Sequence, residues 1–91
     1  MEFEFDPAKS AINKDKHGID FVEAQALWSG IKLVIPARSD EEKRYAVIGM
    51  IEARYWVGFY TQRGRSVRII SVRRARDYER DLYEDYLRKR T

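Results

Sequence analysis

Cysteine is absent and histidine occurs once, as His17. Without cysteine there is no disulfide scaffold, no cysteine-ligated zinc and no thiol nucleophile. That composition suits a reducing compartment, so a cytoplasmic location is expected. With one histidine, the usual two- or three-histidine zinc site cannot be built, and a Ser-His-Asp triad would have to run through His17. No metal and no cofactor is expected. The sequence also lacks any apolar run near the roughly 20 residues of a membrane span. The segment Met1-Glu2-Phe3-Glu4-Phe5-Asp6 is acidic where a secretory signal starts basic, so no membrane association is expected. No Gly-x-x-x-x-Gly-Lys-Ser/Thr loop, Gly-x-Gly-x-x-Gly turn or Gly-x-Ser-x-Gly elbow occurs. Nucleotide hydrolysis, dinucleotide chemistry and esterase chemistry therefore lack their usual signatures.

What is present is enough for one small core. The 91 residues are expected to form one domain over residues 1–91, because 44% of them are hydrophobic and no repeat or low-complexity stretch marks a linker. Residues 1–6 alternate, with Phe3 and Phe5 on one side and Glu2, Glu4 and Asp6 on the other, as in a half-buried strand. Asp6-Pro7 is an N-cap followed by proline at the first helical position, and Gly18 stands where a left-handed C-terminal cap is wanted. The spacing predicts a helix over 7–17. Asp20-Phe21-Val22-Glu23 reads as a capping box, with Ile19 stapled on Ala24, opening a second helix that runs to about Ser29 and is ended by Gly30. Ile31, Leu33 and Ile35 alternate up to Pro36, and Ala37 to Asp40 is turn-like.

Lys43–Met50 and Arg54–Gln62 are rich in β-branched and aromatic residues, with Ile51-Glu52-Ala53 as the hairpin connection. Gly64 breaks the pattern and Ser66–Arg73 resumes it, which predicts an antiparallel meander. From Ala75 onward the spacing turns helical for about four turns, with Ala75, Tyr78, Leu82 and Tyr86 and the flanking Tyr83 and Leu87 on the apolar stripe. The fold class is α+β: an antiparallel sheet of about four strands plus a short N-terminal strand, two N-terminal helices and one C-terminal helix.

The net charge of +3 conceals a block. Residues 1–30 carry −3, 31–60 carry +1, 77–91 carry −1, and 61–76 carry six arginines without one acid. Arg63, Arg65, Arg68, Arg73, Arg74 and Arg76 include no lysine among them, and guanidinium is the group that forks onto phosphate and stacks on bases. Tyr45, Tyr55, Trp56 and Tyr60 lie on the neighbouring strands, and a sheet bearing arginines and aromatics can hold unstacked RNA bases. Two plainer readings stand beside this one: arginines that only solubilise an edge or pair with acids, and aromatics that only fill the core. A helix-turn-helix over 7–29 is disfavoured, since Phe21–Ser29 has no basic residue to hold a phosphate backbone.

RNA supplies its own nucleophile in the 2′-hydroxyl. An enzyme acting on it has to position the phosphate, neutralise the transition state and move two protons. Arginines with a base such as His17, Glu42 or Glu79 satisfy that list without a metal. His17 also has a bland role available, since a histidine at a helix C-terminus interacts favourably with the helix dipole.

Several segments resemble a known family. These are Asp6-Pro7-Ala8-Lys9, Asn13, Lys16-His17-Gly18-Ile19-Asp20-Phe21-Val22-Glu23-Ala24, Glu42-x-Arg44 leading to Ile48-Gly49, and Arg68-Ile69-Ile70-Ser71-Val72-Arg73-Arg74-Ala75 with Glu79 and Tyr83. In this order they resemble the BrnT toxins of bacterial type II toxin-antitoxin systems, with Val72 where that family more often has alanine. The resemblance implies a RelE-like fold and a ribonuclease that arrests translation. It also implies a BrnA-like antitoxin with a ribbon-helix-helix DNA-binding domain, in a 2:2 heterotetramer that reaches operator DNA only through the antitoxin.

Joined to the arginine block, this reading predicts a metal-independent endoribonuclease. Arg63 and Arg68 would hold phosphate, Arg73 would stabilise developing charge, Arg44 would assist, and His17 or Glu42 would carry the proton. Arg65, Arg74 and Arg76 would add to RNA binding, with Trp56 or Tyr60 stacking on a base. The same basic face also suits a non-catalytic RNA- or ribosome-binding module, or a surface for an acidic protein partner.

Overall fold

A computed structural model describes residues 1–39 and 41–90, so Asp40 of the expected 37–40 turn lies outside the described residues. Five strands form one sheet, β1 (Glu2–Glu4), β2 (Leu33–Ala37), β3 (Arg44–Ile51), β4 (Arg54–Arg63) and β5 (Ser66–Arg74), in the order β1-β5-β4-β3-β2. β2 to β5 run antiparallel as expected, but β1 pairs in parallel with β5, so the sheet is mixed. The chain leaves β1 through a crossover of two helical segments and the other three strands before β5 returns beside it. A pattern of period 2 carries no information about strand direction, and this pairing could not be read from it.

The first helix, α1 (Pro7–His17), has the expected ends. The Asp6 carboxylate accepts from the Ala8 N–H at 2.9 Å, and Gly18 closes the helix at φ 82°, donating to Lys14 O at 2.9 Å. The capping box is also present, with Glu23 N–H donating to Asp20 at 2.7 Å and Asp20 N–H donating to Glu23 at 3.0 Å. What it opens is not an α-helix but a 3₁₀ helix, Glu23–Trp28, held by bonds such as Ser29 N–H to Ala26 O. This tighter segment presses Leu27 and Trp28 onto the sheet at two glycines. A Cβ at Gly49 would lie 3.2 Å from Leu27 Cδ2, and one at Gly58 would lie 3.3 Å from both Leu27 Cδ1 and the Trp28 ring. Sheet and helix meet there so closely that a Cβ at either position would have to push Leu27 or Trp28 back by a few tenths of an ångström.

Three boundaries differ from expectation. β2 starts at Leu33 and includes Pro36 and Ala37, which is allowed because β2 is an edge strand and proline can leave its missing donor on the open side. The β3–β4 connection is two residues, not three, since Ile51 pairs with Arg54 and both Glu52 (φ 49°) and Ala53 (φ 67°) are left-handed. The closing helix, α2 (Asp77–Arg88), starts two residues after Ala75 and makes a little over three turns.

The stripe of α2 is also rotated from the expected one. Glu79 and Tyr83 are buried at 4% exposure while Tyr78 and Leu82 are exposed. A buried glutamate hid this face from a reading that tracked only apolar residues.

The two faces of the sheet bury separate clusters. On one, α1 and the 3₁₀ helix cover Val47, Trp56, Tyr60, Val67, Ile69 and Val72 with Ile19, Phe21, Leu27 and Trp28. On the other, α2 covers Ala46, Ile48 and Val57 with Tyr83 and Leu87. Each of the fully buried side chains Phe21, Leu27 and Ile48 contributes roughly 1.5–3 kcal/mol by leaving water. Of this second face, the row that carries Glu4, Arg68, Thr61 and Arg44 lies outside the cluster packed with α2.

Candidate nucleic-acid interface

Register decides which arginines share the uncovered face. Glu4 pairs with Arg68, and Arg68 pairs with Thr61. Arg44 precedes Tyr45, which pairs with Tyr60 on the α1 side, so Arg44 falls on the α2 side next to Thr61. Glu4, Arg68, Thr61 and Arg44 therefore form one row across four strands. Arg63, two residues beyond Thr61, stands on the same face.

The carboxylates approach these arginines loosely. Glu4 Oε1 lies 3.8 Å from Arg63 and 3.7 Å from Arg68, and Glu42 Oε1 lies 3.6 Å from Arg63. These separations exceed a hydrogen bond, and the side chains are 36–51% exposed, so each pair is worth at most about 1 kcal/mol and can be exchanged for another anion. Beneath them Thr61 is 1% exposed, and its Oγ1 has no hydrogen-bond partner among the described residues. A buried orphan hydroxyl costs about 1–3 kcal/mol. At the Arg44 end opens a cleft of about 390 Å³ lined by Arg38, Ser39, Glu41, Glu42 and Arg44.

Arg73 is placed differently. It pairs with Val57 on the same face, but both terminal nitrogens are taken by Glu79, at 2.8 Å and 2.9 Å, and its guanidinium also lies 5.2 Å from the centre of the Phe59 ring. Glu79 additionally accepts from the Arg76 N–H at 2.8 Å. Burial alone pushes the Glu79 carboxyl up, but the hydrogen bonds from Arg73 and Arg76 outweigh it and hold it below the ordinary carboxylate value. The hydrogen bond to Glu79 raises Arg73 in turn. This pair is a structural joint between β5 and α2, so the guanidinium expected to stabilise developing charge is the one that Glu79 holds.

The other expected site residues divide as follows. Glu42 joins the row. Arg65 lies exposed in the β4–β5 turn and Arg76 at the start of α2. Arg74 pairs with Trp56, its guanidinium 5.5 Å from the centre of that ring, on the α1 side of the sheet. Trp56 and Tyr60 are 7% and 6% exposed within the core under the 3₁₀ helix. Their alternation places these two residues, expected to stack on a base, on the face covered by the 3₁₀ helix, where Tyr60 meets Trp28 edge-on.

His17 ends α1, in the layer opposite the arginine row. Glu4 was missed by sequence reading. Its place opposite Phe3 and Phe5 was visible, but its neighbour Arg68 follows only from the parallel pairing. Among the described residues no group of three His, Cys, Asp or Glu side chains is arranged to hold a metal ion, and no helix is long and apolar enough to cross a membrane.

Residues 5–79 match the family described as the ribonuclease toxin, BrnT, of type II toxin-antitoxin systems. The chain belongs to the BrnT family. No curated protein sequence matches it. The matched span takes in α1, the 3₁₀ helix and strands β2 to β5, and it ends on Glu79, the partner of Arg73. BrnT membership identifies a type II ribonuclease toxin, with an RNA target and an antitoxin partner. Within this BrnT chain, Arg63, Arg68 and Arg44 are the arginines gathered on the open sheet face.

Proposed function

We propose that this BrnT protein cleaves RNA on the open face of its sheet without a metal and thereby inhibits translation. A BrnA-like ribbon-helix-helix antitoxin would neutralise it in a 2:2 heterotetramer and provide the only contact to operator DNA. The observation that carries the reading is the row of Arg68, Thr61 and Arg44 with Arg63 beside it, held on adjacent strands under loosely engaged carboxylates. Guanidinium groups at strand spacing can fork onto one phosphate and its neighbour, and they neutralise the charge that develops when the 2′-hydroxyl attacks phosphorus. The family match supports ribonuclease activity independently of this geometry.

The test offers the full chain a labelled RNA, free in EDTA and engaged in a cell-free translation reaction. Cleavage in the EDTA arm that leaves a 2′,3′-cyclic phosphate and a 5′-hydroxyl is the expected result. Retention of RNA with no cleavage in either arm would replace the enzyme with a binding module. Cleavage that EDTA abolishes on a substrate cut readily in magnesium would remove the metal-free mechanism.

A further inference from the structure

Resting on that reading, we propose that Glu4 is the base that takes the proton from the attacking 2′-hydroxyl. The argument compares the carboxylates and the histidine by position. Glu79 accepts twice from Arg73, once from the Arg76 N–H and once from the Tyr78 hydroxyl, and it is 4% exposed, so its acceptor positions are filled. His17 is in the opposite layer. Glu42 precedes β3 and, among the described residues, its carboxylate pairs with Arg63 alone.

Glu4 stands on a strand in register with Arg68, within 3.8 Å of both Arg63 and Arg68. Neither contact is a hydrogen bond, so each arginine keeps donors free for phosphate while the Glu4 oxygens keep lone pairs free for a hydroxyl. A phosphate held by both arginines brings its adjoining ribose to the carboxylate between them. Thr61, two strands from Glu4 in the same row, has a hydroxyl without a hydrogen-bond partner among the described residues.

The step balances as follows. Glu4 takes the 2′-hydroxyl proton, the O2′–phosphorus bond forms and the phosphorus–O5′ bond breaks. The electron pair leaves with O5′, which takes a proton from water, and the resulting hydroxide takes the proton back from Glu4. The products are a 2′,3′-cyclic phosphate and a 5′-hydroxyl, with Glu4 restored. Glu4 is half-exposed and its two ion pairs are loose, so Glu4→Gln keeps the fold.

The experiment measures both cleavage and retention of a labelled single-stranded RNA, presented free and in a translation reaction. It compares the wild-type chain, Glu4→Gln and Glu4→Asp, with thermal melts to establish that each is folded. Loss of general-base catalysis should slow cleavage by Glu4→Gln about 10²-fold or more, leave RNA retention unchanged or tighter, and let Glu4→Asp recover part of the rate. Wild-type cleavage with Glu4→Gln equally fast or faster would overturn the assignment and leave Glu4 as a mere occupant of the phosphate site. An inactive Glu4→Gln whose RNA retention falls in parallel would overturn it as well. No cleavage by the wild type in either arm would instead bring down the ribonuclease reading itself.

Discussion

The carboxamide of Asn13 completes the backbone of Val72. Its Nδ2 donates to Val72 O at 2.9 Å and to Ile19 O at 2.8 Å, while Val72 N–H donates to Asn13 Oδ1 at 3.1 Å. β1 ends at Glu4, opposite Arg68, and from there the outer edge of β5 has no strand beside it. One side chain from α1 substitutes for that strand and also ties down the turn after the helix. This joint holds the helical layer on the far side of the sheet from the arginine row.

Replacing Asn13 by alanine strands three buried backbone groups at once. At about 1–3 kcal/mol for a group left without a partner, and with partial relaxation, we expect a loss of about 2–4 kcal/mol of folding stability, measured by urea denaturation. A loss under 0.5 kcal/mol would show that the joint contributes little.

Arg73→Ala would leave Glu79 buried and charged without its partner, and about 3–5 kcal/mol of stability should go with it. Loss of activity in that variant alone would therefore say nothing about catalysis. The double variant Arg73→Met, Glu79→Leu should recover most of the stability, because apolar groups of similar volume remove the desolvation cost along with the attraction. The pH dependence follows from direction. The Glu79 carboxyl lies below its ordinary 4.5 in the folded chain, so its stabilisation is fully present above that value and is lost as pH falls through the lower folded one. Thermal melts from pH 6 down to about 3 should show a steeper acid decline in the wild type than in the double variant.

Arg63 and Arg68 behave in the opposite way. Their ion pairs are half-exposed, so Arg63→Ala and Arg68→Ala should each change stability by no more than about 0.5–1 kcal/mol. Their effect should fall on RNA. Each should reduce retention uniformly across sequences and lower the slope of log affinity against log salt by about 0.7, the value of one neutralised phosphate on a single strand. Unchanged slopes in both variants would place the RNA elsewhere.

The two-residue turn at Glu52-Ala53 places both residues in left-handed backbone without glycine or asparagine. Left-handed geometry costs an L-residue about 1–2 kcal/mol, partly offset by the entropy glycine adds to the unfolded chain. Ala53→Gly should therefore raise stability by about 0.5–1 kcal/mol in chemical denaturation, with RNA cleavage unaltered because the turn is far along the sheet from the Thr61 row.

Much of this was legible in the residues. Local bonds between near neighbours wrote the ends of α1, the capping box and the hairpins, since Asp6, Gly18, Asp20 and Glu23 act within a few residues of themselves. The concentration of arginine in 61–76 was equally plain. The assignment of those arginines was not, because six side chains on a strand, a turn and a helix start point to different faces. Trp56 and Tyr60 illustrate the same limit: their aromatic character was visible, while the covering of their face by the 3₁₀ helix depends on two glycines in strands remote from it.

The sequence by itself determined the α+β class, the order of elements, the absence of cysteine chemistry, and the family, because each depends on residue type and short-range spacing. Only the tertiary structure decided that β1 runs parallel beside β5, that Glu4 comes near both Arg63 and Arg68, and that Glu79 pairs with Arg73. Charges set far apart in the chain interact according to register and burial. Both are properties of the folded sheet, and no window along the chain contains them.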